Sequence, residues 1–243
     1  MADENIVLKL IRQLSSPYAE TRENAAMDIF KGIKNRELPI TPKLFSALVN
    51  ALDDDYTNVI YYAATSFGLI ANKGKDITPV IPNLIRILND NLDSEDSSAD
   101  DLIRTSLLPL NAAYSHDLSP ALGVLTKALI YGNPNPTLDN DVIRHLALET
   151  LVNYTEYFVA GKVETGDYDS ALIEIKKVTK SVMDASKGKN TKRIKERRKI
   201  LGVLSELTNS IHDKMTSDKK EFHKPVKHQS VRGTQTRKVI RSG

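Results

Sequence analysis

At 243 residues, with 40% hydrophobic and 27% charged residues, the chain is long enough to bury a core as one domain or two. It contains no cysteine, which excludes a disulfide framework, thiolate chemistry and cysteine-type zinc sites. The net charge of +3 hides a split: residues 1–167 hold 14 Lys+Arg against 23 Asp+Glu (−9), and residues 168–243 hold 20 against 8 (+12).

Ile6, Val7, Leu10, Ile11 and Leu14 recur at three-to-four spacing, which predicts a helix over 4–14 that buries one face. The turn SSPYAE leads into a second helix, Glu20–Ile33. Thr41-Pro42 supplies an N-cap and a first-turn proline for a helix reaching Leu52, and DDDYTN returns the chain into Val59–Asn72. A third pair opens with TPVIPNLIRIL at Thr78, crosses LDSEDSSADD and returns through Leu102–Ser115. The fourth runs from Ser119-Pro120 to Ile130, crosses YGNPNPTLDND and returns through Val142–Phe158. A connector, AGKVETGD, precedes a fifth pair, Tyr168–Ser186 and Lys192–Met215, separated by KGKN.

The second helices repeat one pattern. Aligned on Arg22, Ile60, Arg104, Arg144 and Arg197, each has small or apolar residues three and four positions on: Ala25/Ala26, Ala63/Ala64, Leu107/Leu108, Ala147/Leu148 and Ile200/Leu201. The steps between anchors are 38, 44, 40 and 53 residues, the period of stacked supersecondary units. Small residues at the paired positions let neighbouring second helices approach closely. The helix-pair length, the Ser/Thr-Pro openings and this Arg-x-x-Ala-Ala type of signature resemble HEAT repeats over roughly residues 4–215. The resemblance implies an all-α, right-handed α-solenoid of about five helix pairs, residues 1–215, and a non-catalytic scaffold that binds a protein partner. The aspartate that the family often carries in the turn before the arginine fits at Asp54 and is missing from units one and five. Arg22, Arg104 and Arg144 are expected to be structural, reaching turn carbonyls or carboxylates.

Motifs for chemistry are missing from the sequence. There is no phosphate-binding glycine loop, no Gly-x-Ser-x-Gly elbow and no His-Glu-x-x-His helix, so neither catalysis nor a cofactor or metal is expected. Two charged surfaces are candidates instead. The turns within repeats emerge on one edge, which gathers Asp53, Asp54, Asp55, Asp93, Glu95 and Asp96, with Asp100, Asp101, Asp139 and Asp141, as a docking ridge for a basic segment; caps and turn solvation account for the same aspartates equally well. At the other end, Lys187, Lys189, Lys192, Arg193, Lys195, Arg197, Arg198 and Lys199 crowd a helix start, against the macrodipole. With the basic tail, 216–243, expected to be disordered, they offer the alternative of non-specific binding to a nucleic-acid phosphate backbone. Tyr61, Tyr62, Tyr114, Tyr154 and Tyr157 fall on second helices, where a peptide groove would draw on them. No apolar run reaches the ~18 residues of a membrane span, and the acidic MADENIVLKL does not resemble a secretory leader, so a cytoplasmic setting is expected, or a nuclear one in a eukaryote.

Overall fold

A computed structural model describes residues 2–94, 96, 98–129, 131 and 140–185, with scattered helical positions between 198 and 216. Every regular element among them is helical: α1 Ala2–Leu14, α2 Ala19–Lys34, α3 Pro42–Ala51, α4 Thr57–Asn72, α5 Ile81–Leu92, α6 Ala99–Ala112, α7 Leu122–Ala128, α8 Asn140–Asn153, α9 Ala160–Glu164 and α10 Tyr168–Ala185. No helix among the described residues is long and apolar enough to cross a membrane.

The helices pack as pairs, α1 on α2, α3 on α4, α5 on α6 and α7 on α8. The two largest contacts run between second helices, α4 on α6 and α2 on α4, and α6 lies on α8 in the same way. Ala25, Ala26, Ala63, Ala64 and Ala147 are all buried at these contacts, where a missing side chain beyond Cβ brings backbones close. Gly68 extends the same approach, because a Cβ there would stand 3.7 Å from the backbone nitrogen of Pro109 in α6. Buried Ser66, Thr105, Thr126, Thr150 and Thr155 would be costly in such a core. Each returns its hydroxyl to a carbonyl four residues back, at 2.6–2.9 Å.

Local chemistry sets the helix ends. The Thr41 hydroxyl accepts the Leu44 N–H at 3.2 Å, with Pro42 at the first helical position. The third and fourth pairs open differently from the expectation. Thr78–Val80 and Ser119–Ala121 form single 3-10 turns before α5 and α7. In both, an aspartate two residues upstream accepts the backbone N–H of the Thr or Ser, Asp76 to Thr78 at 2.8 Å and Asp117 to Ser119 at 2.9 Å. The connector also differs. From Tyr154 to Val159 the chain winds as a π-helix and runs on as α9, leaving only Thr165–Asp167 as turn. The wider turn coincides with Tyr154 going fully inside. Of the expected fifth second helix only scattered positions are described; Leu204 and Ile211 among them are buried. Residues 217–243, most of the expected tail, lie outside the described residues.

Three helices end in the same left-handed cap. After α2, α4 and α9 the positive φ falls on Arg36 (63°), Gly74 (71°) and Gly166 (77°). In each, the next N–H reaches the carbonyl five residues back: Glu37 to Gly32 at 2.9 Å, Lys75 to Ile70 at 3.3 Å and Asp167 to Lys162 at 2.8 Å. Arg36 carries the steric cost of Cβ that the two glycines avoid. Arg36→Gly should therefore raise stability by roughly 0.5–1 kcal/mol, and Gly74→Ala should lower it by a similar amount. Thermal melts of the two variants beside the parent chain check the pair of signs.

Candidate interaction surfaces

Hydrogen bonds between units recur along the turn edge at one-unit spacing. Arg22 in α2 grips Asp54 of the next turn in a fork, Nε to Oδ2 at 2.7 Å and Nη2 to Oδ1 at 2.9 Å. Its Nη2 also donates to Asp55 at 2.5 Å, and Nη1 donates to the Ser16 and Pro17 carbonyls. Asp53 accepts from Arg86 of α5 at 2.5 Å, and Arg86 adds the Leu52 carbonyl at 2.9 Å. Asp93 accepts from Lys127 of α7 at 2.5 Å. Asn58 donates to Glu23 at 2.8 Å, and Tyr131 donates to the buried Asp100 at 2.6 Å. The expected acidic ridge thus has Asp53, Asp54, Asp55 and Asp93 engaged within the chain. Asp96 is exposed and accepts the Ser98 N–H at 3.0 Å as a turn former. Glu95 and Asp139 lie outside the described residues.

The Arg22–Asp54 fork is the most buried of these ion pairs, with side chains 13% and 9% exposed. Burial pushes the Asp54 carboxyl up, but the Arg22 hydrogen bond and the Tyr56 N–H outweigh it and hold the group below the usual carboxylate range. The same hydrogen bond raises the Arg22 guanidinium above its usual value against the effect of burial.

The other two expected structural arginines fare differently. Arg144 donates Nη1 to the Tyr131 carbonyl at 2.6 Å, and Nε and Nη2 to Asp141. Arg104 makes only two contacts, both from Nη2 and both at 3.5 Å, to the Tyr61 hydroxyl and Asp101; its Nε is buried with no acceptor.

Of the basic set, only Arg198 falls among the described residues, and it is exposed; Lys187, Lys189, Lys192, Arg193, Lys195, Arg197 and Lys199 lie outside them. On α10, Lys176 and Lys180 are exposed, whereas Lys177 donates to Glu174 at 2.6 Å.

The five tyrosines separate. Tyr154 is buried, and its hydroxyl donates to Glu174 at 3.1 Å and stands 3.5 Å from Asp117. Burial, reinforced by those two carboxylates, drives its pKa far up, so it stays protonated. Nothing in the spacing of Tyr154, Glu174 and Asp117 signals this cluster in advance. The remaining four are half-buried or exposed and fall into two groups, Tyr61 with Tyr62 on α4 and Tyr114 with Tyr157 just past the ends of α6 and α8. Phe30 of α2 meets Tyr62 of α4 at 6.0 Å between ring centroids, Tyr62 meets Tyr61 edge-on at 5.2 Å, and Tyr61 meets Arg104 of α6. Further along, Asn111 accepts from Asn153 of α8 at 2.9 Å, and Tyr114 packs on Tyr157 at 4.7 Å. Tyr157 is 58% exposed. Tyr18 and Tyr56, also exposed, hold the N-cap places of α2 and α4 and were not among the expected site residues. Among the described residues no three histidine or carboxylate groups converge to hold a metal ion.

Fold and surfaces together define an all-α protein of packed helix pairs. No family model matches the chain, and no curated protein matches it. Solved structures do match. One is the crystal structure of an engineered protein, 17% identical, spanning 82% of this chain and 98% of its own, at a TM-score of 0.44. That degree of likeness defines neither a family nor an activity.

The depressed Asp54 group has a pH signature. Its folded pKa lies below the unfolded value of about 3.9, so its contribution is complete above about pH 4 and drains away as pH falls through the folded pKa. Asp54→Asn should cost about 1–3 kcal/mol at pH 7, with the deficit against the parent shrinking in acid. Asp55→Asn, at an 89% exposed side chain, should cost under about 0.5 kcal/mol. Urea unfolding across pH 2–7 (about five pH units, bracketing the carboxylate range) measures both.

Proposed function

We propose that the chain is a HEAT-like right-handed α-solenoid and a non-catalytic scaffold that holds a protein partner on its second-helix face. In helix-pair solenoids the inner layer lines the concave side, and the layer α2–α4–α6–α8 is the counterpart here. One observation carries the reading: Phe30, Tyr62, Tyr61 and Arg104 touch in series across three stacked helices, half-exposed, while the turn-edge aspartates are tied up. Half-buried tyrosines offer rigid contact area at little entropic cost, and they are frequent anchors of interfaces. On the acidic edge Asp53, Asp55 and Asp93 already face cations of the chain while staying 59%, 89% and 75% exposed, and Asp96 is exposed as a turn former, so a basic segment there would compete with contacts already made. A partner of this kind fits the expected cytoplasmic or nuclear setting.

A second reading rests on charge alone. Lys176, Lys180 and Arg198 are exposed within the +12 part of the chain, where a nucleic-acid phosphate backbone would find cations. Its signature is affinity for labelled duplex that falls steeply with salt and disappears when residues 216–243 are deleted.

The leading reading is tested by pull-down from the source cell with the tagged chain and two variants. Tyr62→Ala with Leu108→Ser should weaken capture of the partner about tenfold or more, the expected cost of losing interface anchors. Asp55→Lys with Asp96→Lys should leave it unchanged. The opposite result would move the partner to the turn edge and sink the second-helix reading.

A further inference from the structure

Arg22, Arg104 and Arg144 hold the same place in the first, third and fourth repeats of the sequence, with Ile60 in the second, yet their donors are not equally used. A guanidinium has five N–H groups in a planar fork. Arg22 places its donors on two carboxylates and two carbonyls, and Arg144 places its donors on a carboxylate and a carbonyl. Arg104, 30% exposed at its side chain, commits Nη2 alone, to two acceptors at the 3.5 Å limit. Its Nε is sealed from solvent without an acceptor, and its Nη1 meets no acceptor among the described residues. A permanent charge is thus held at the middle of the second-helix face with Nη1 unspent and Nη2 held only by long contacts.

We propose that Arg104 is a binding residue that takes one carboxylate of a protein segment lying on this face, end-on through Nη1 and Nη2. The inference rests on the scaffold reading above and names the chemistry of its partner. End-on pairing suits the geometry, because the two Nη groups are the reachable edge while Nε points inward. The surroundings choose among anions. Asp101 stands 3.5 Å from the guanidinium, and residues 1–167 carry 23 acids against 14 bases, so a phosphate backbone of repeated negative charge meets repulsion here. A single Asp or Glu between apolar residues brings only one negative charge and meets less of it. Its carboxylate has Arg104 and the Tyr61 hydroxyl as donors, and its apolar neighbours have Tyr62 and Leu108 to lie on. The partner segment is therefore apolar with one acidic side chain.

The test uses the full chain and a displayed library of random peptides, panned on the parent and counter-panned on Arg104→Gln. Peptides with one Asp or Glu flanked by Leu, Ile, Phe or Tyr should be enriched on the parent. A synthetic copy of the best should lose about tenfold or more in affinity when its acid is changed to the amide, and about as much on Arg104→Gln. The two changes together should cost little more than either alone, the mark of a direct pair. Because Arg104 makes only long contacts, Arg104→Gln should melt with the parent; should it unfold, Arg104→Lys, which keeps the charge but not the fork, takes its place and should still weaken binding. Enriched peptides that lack an acid, bind both forms equally and are weakened by Tyr62→Ala would overturn the carboxylate anchor and leave the scaffold face standing. Enriched peptides indifferent to both Arg104 and Tyr62 would overturn the face as well.

Discussion

A second helix in this molecule has to fit between two others, and that sandwich governs the composition of everything around it. For α4, held between α2 and α6, the requirement leaves almost no polar circumference: Val59, Ala63, Ala64, Phe67, Gly68, Ile70 and Ala71 are all buried. Two of the sides must be small so that the neighbours come near, and the others must be large so that the first-helix side is filled. Phe67 meets the half-buried Phe45 of α3 edge-on at 5.1 Å, while Ala63 and Ala64 are buried on the same helix. Burying side chains of the Phe or Ile class contributes about 1.5–3 kcal/mol each, which dwarfs any single surface contact. Between the helix ends, what remains outside is a narrow strip, Ile60, Tyr61, Tyr62, Thr65 and Leu69, all of them half-buried. The available interaction face is the residue of a packing problem, and its aromatic character follows from having to be half core.

Apolar burial alone would not fix how far one unit is rotated or slid against the next. Directional groups do that. Arg22 to Asp54, Arg86 to Asp53 and Lys127 to Asp93 join units across 32, 33 and 34 residues of chain, and Asn153 to Asn111 joins them across 42. The exposed members of this set contribute little to stability, being solvated and screened. The Arg22 fork is different, because two parallel hydrogen bonds in a mostly buried place tolerate neither slide nor rotation. The same contacts explain why an excess of acid accumulates on the turn edge. The aspartates there are opposed to cations of adjacent units, even where, as at Asp53, Asp55 and Asp93, most of the side chain stays in solvent.

Helix pairing, the alanine layer and the Thr41-Pro42 opening were legible because each is local, whereas the same Thr/Ser-Pro signal at Thr78 and Ser119 opens a 3-10 turn. Ala63/Ala64 declares itself within four residues of Ile60, and Thr41-Pro42 within two. The cross-unit contacts were not legible. Asp53 and Arg86 are 33 residues apart, and in sequence Asp53 is indistinguishable from Asp55, which stays 89% exposed. Tyr154 was hidden for a related reason. It sits in the same helix as the exposed Tyr157, and only the π-helical segment, with Glu174 arriving from α10, turns it inward to a buried hydrogen bond. The left-handed caps divide the same way. Gly74 and Gly166 advertise themselves as glycines after helices, whereas Arg36 adopts the same φ with no residue signal at all.

Repeat position and chemical role come apart most clearly at the three arginines. The sequence pattern treats Arg22, Arg104 and Arg144 as one feature. Each of these helices supplies the same cation at the same place, but the acceptors differ: Asp54 and Asp55 of the following turn for Arg22, and the Tyr131 carbonyl with Asp141 for Arg144. Around Arg104 the same height is met by a phenol from α4 and an aspartate one turn back on its own helix, neither within a normal hydrogen-bond length. A repeat array can therefore build a binding residue without inventing a new side chain. It withholds the partner that the neighbouring copies receive, and the unspent donors of a structural residue face outward at one point along the stack.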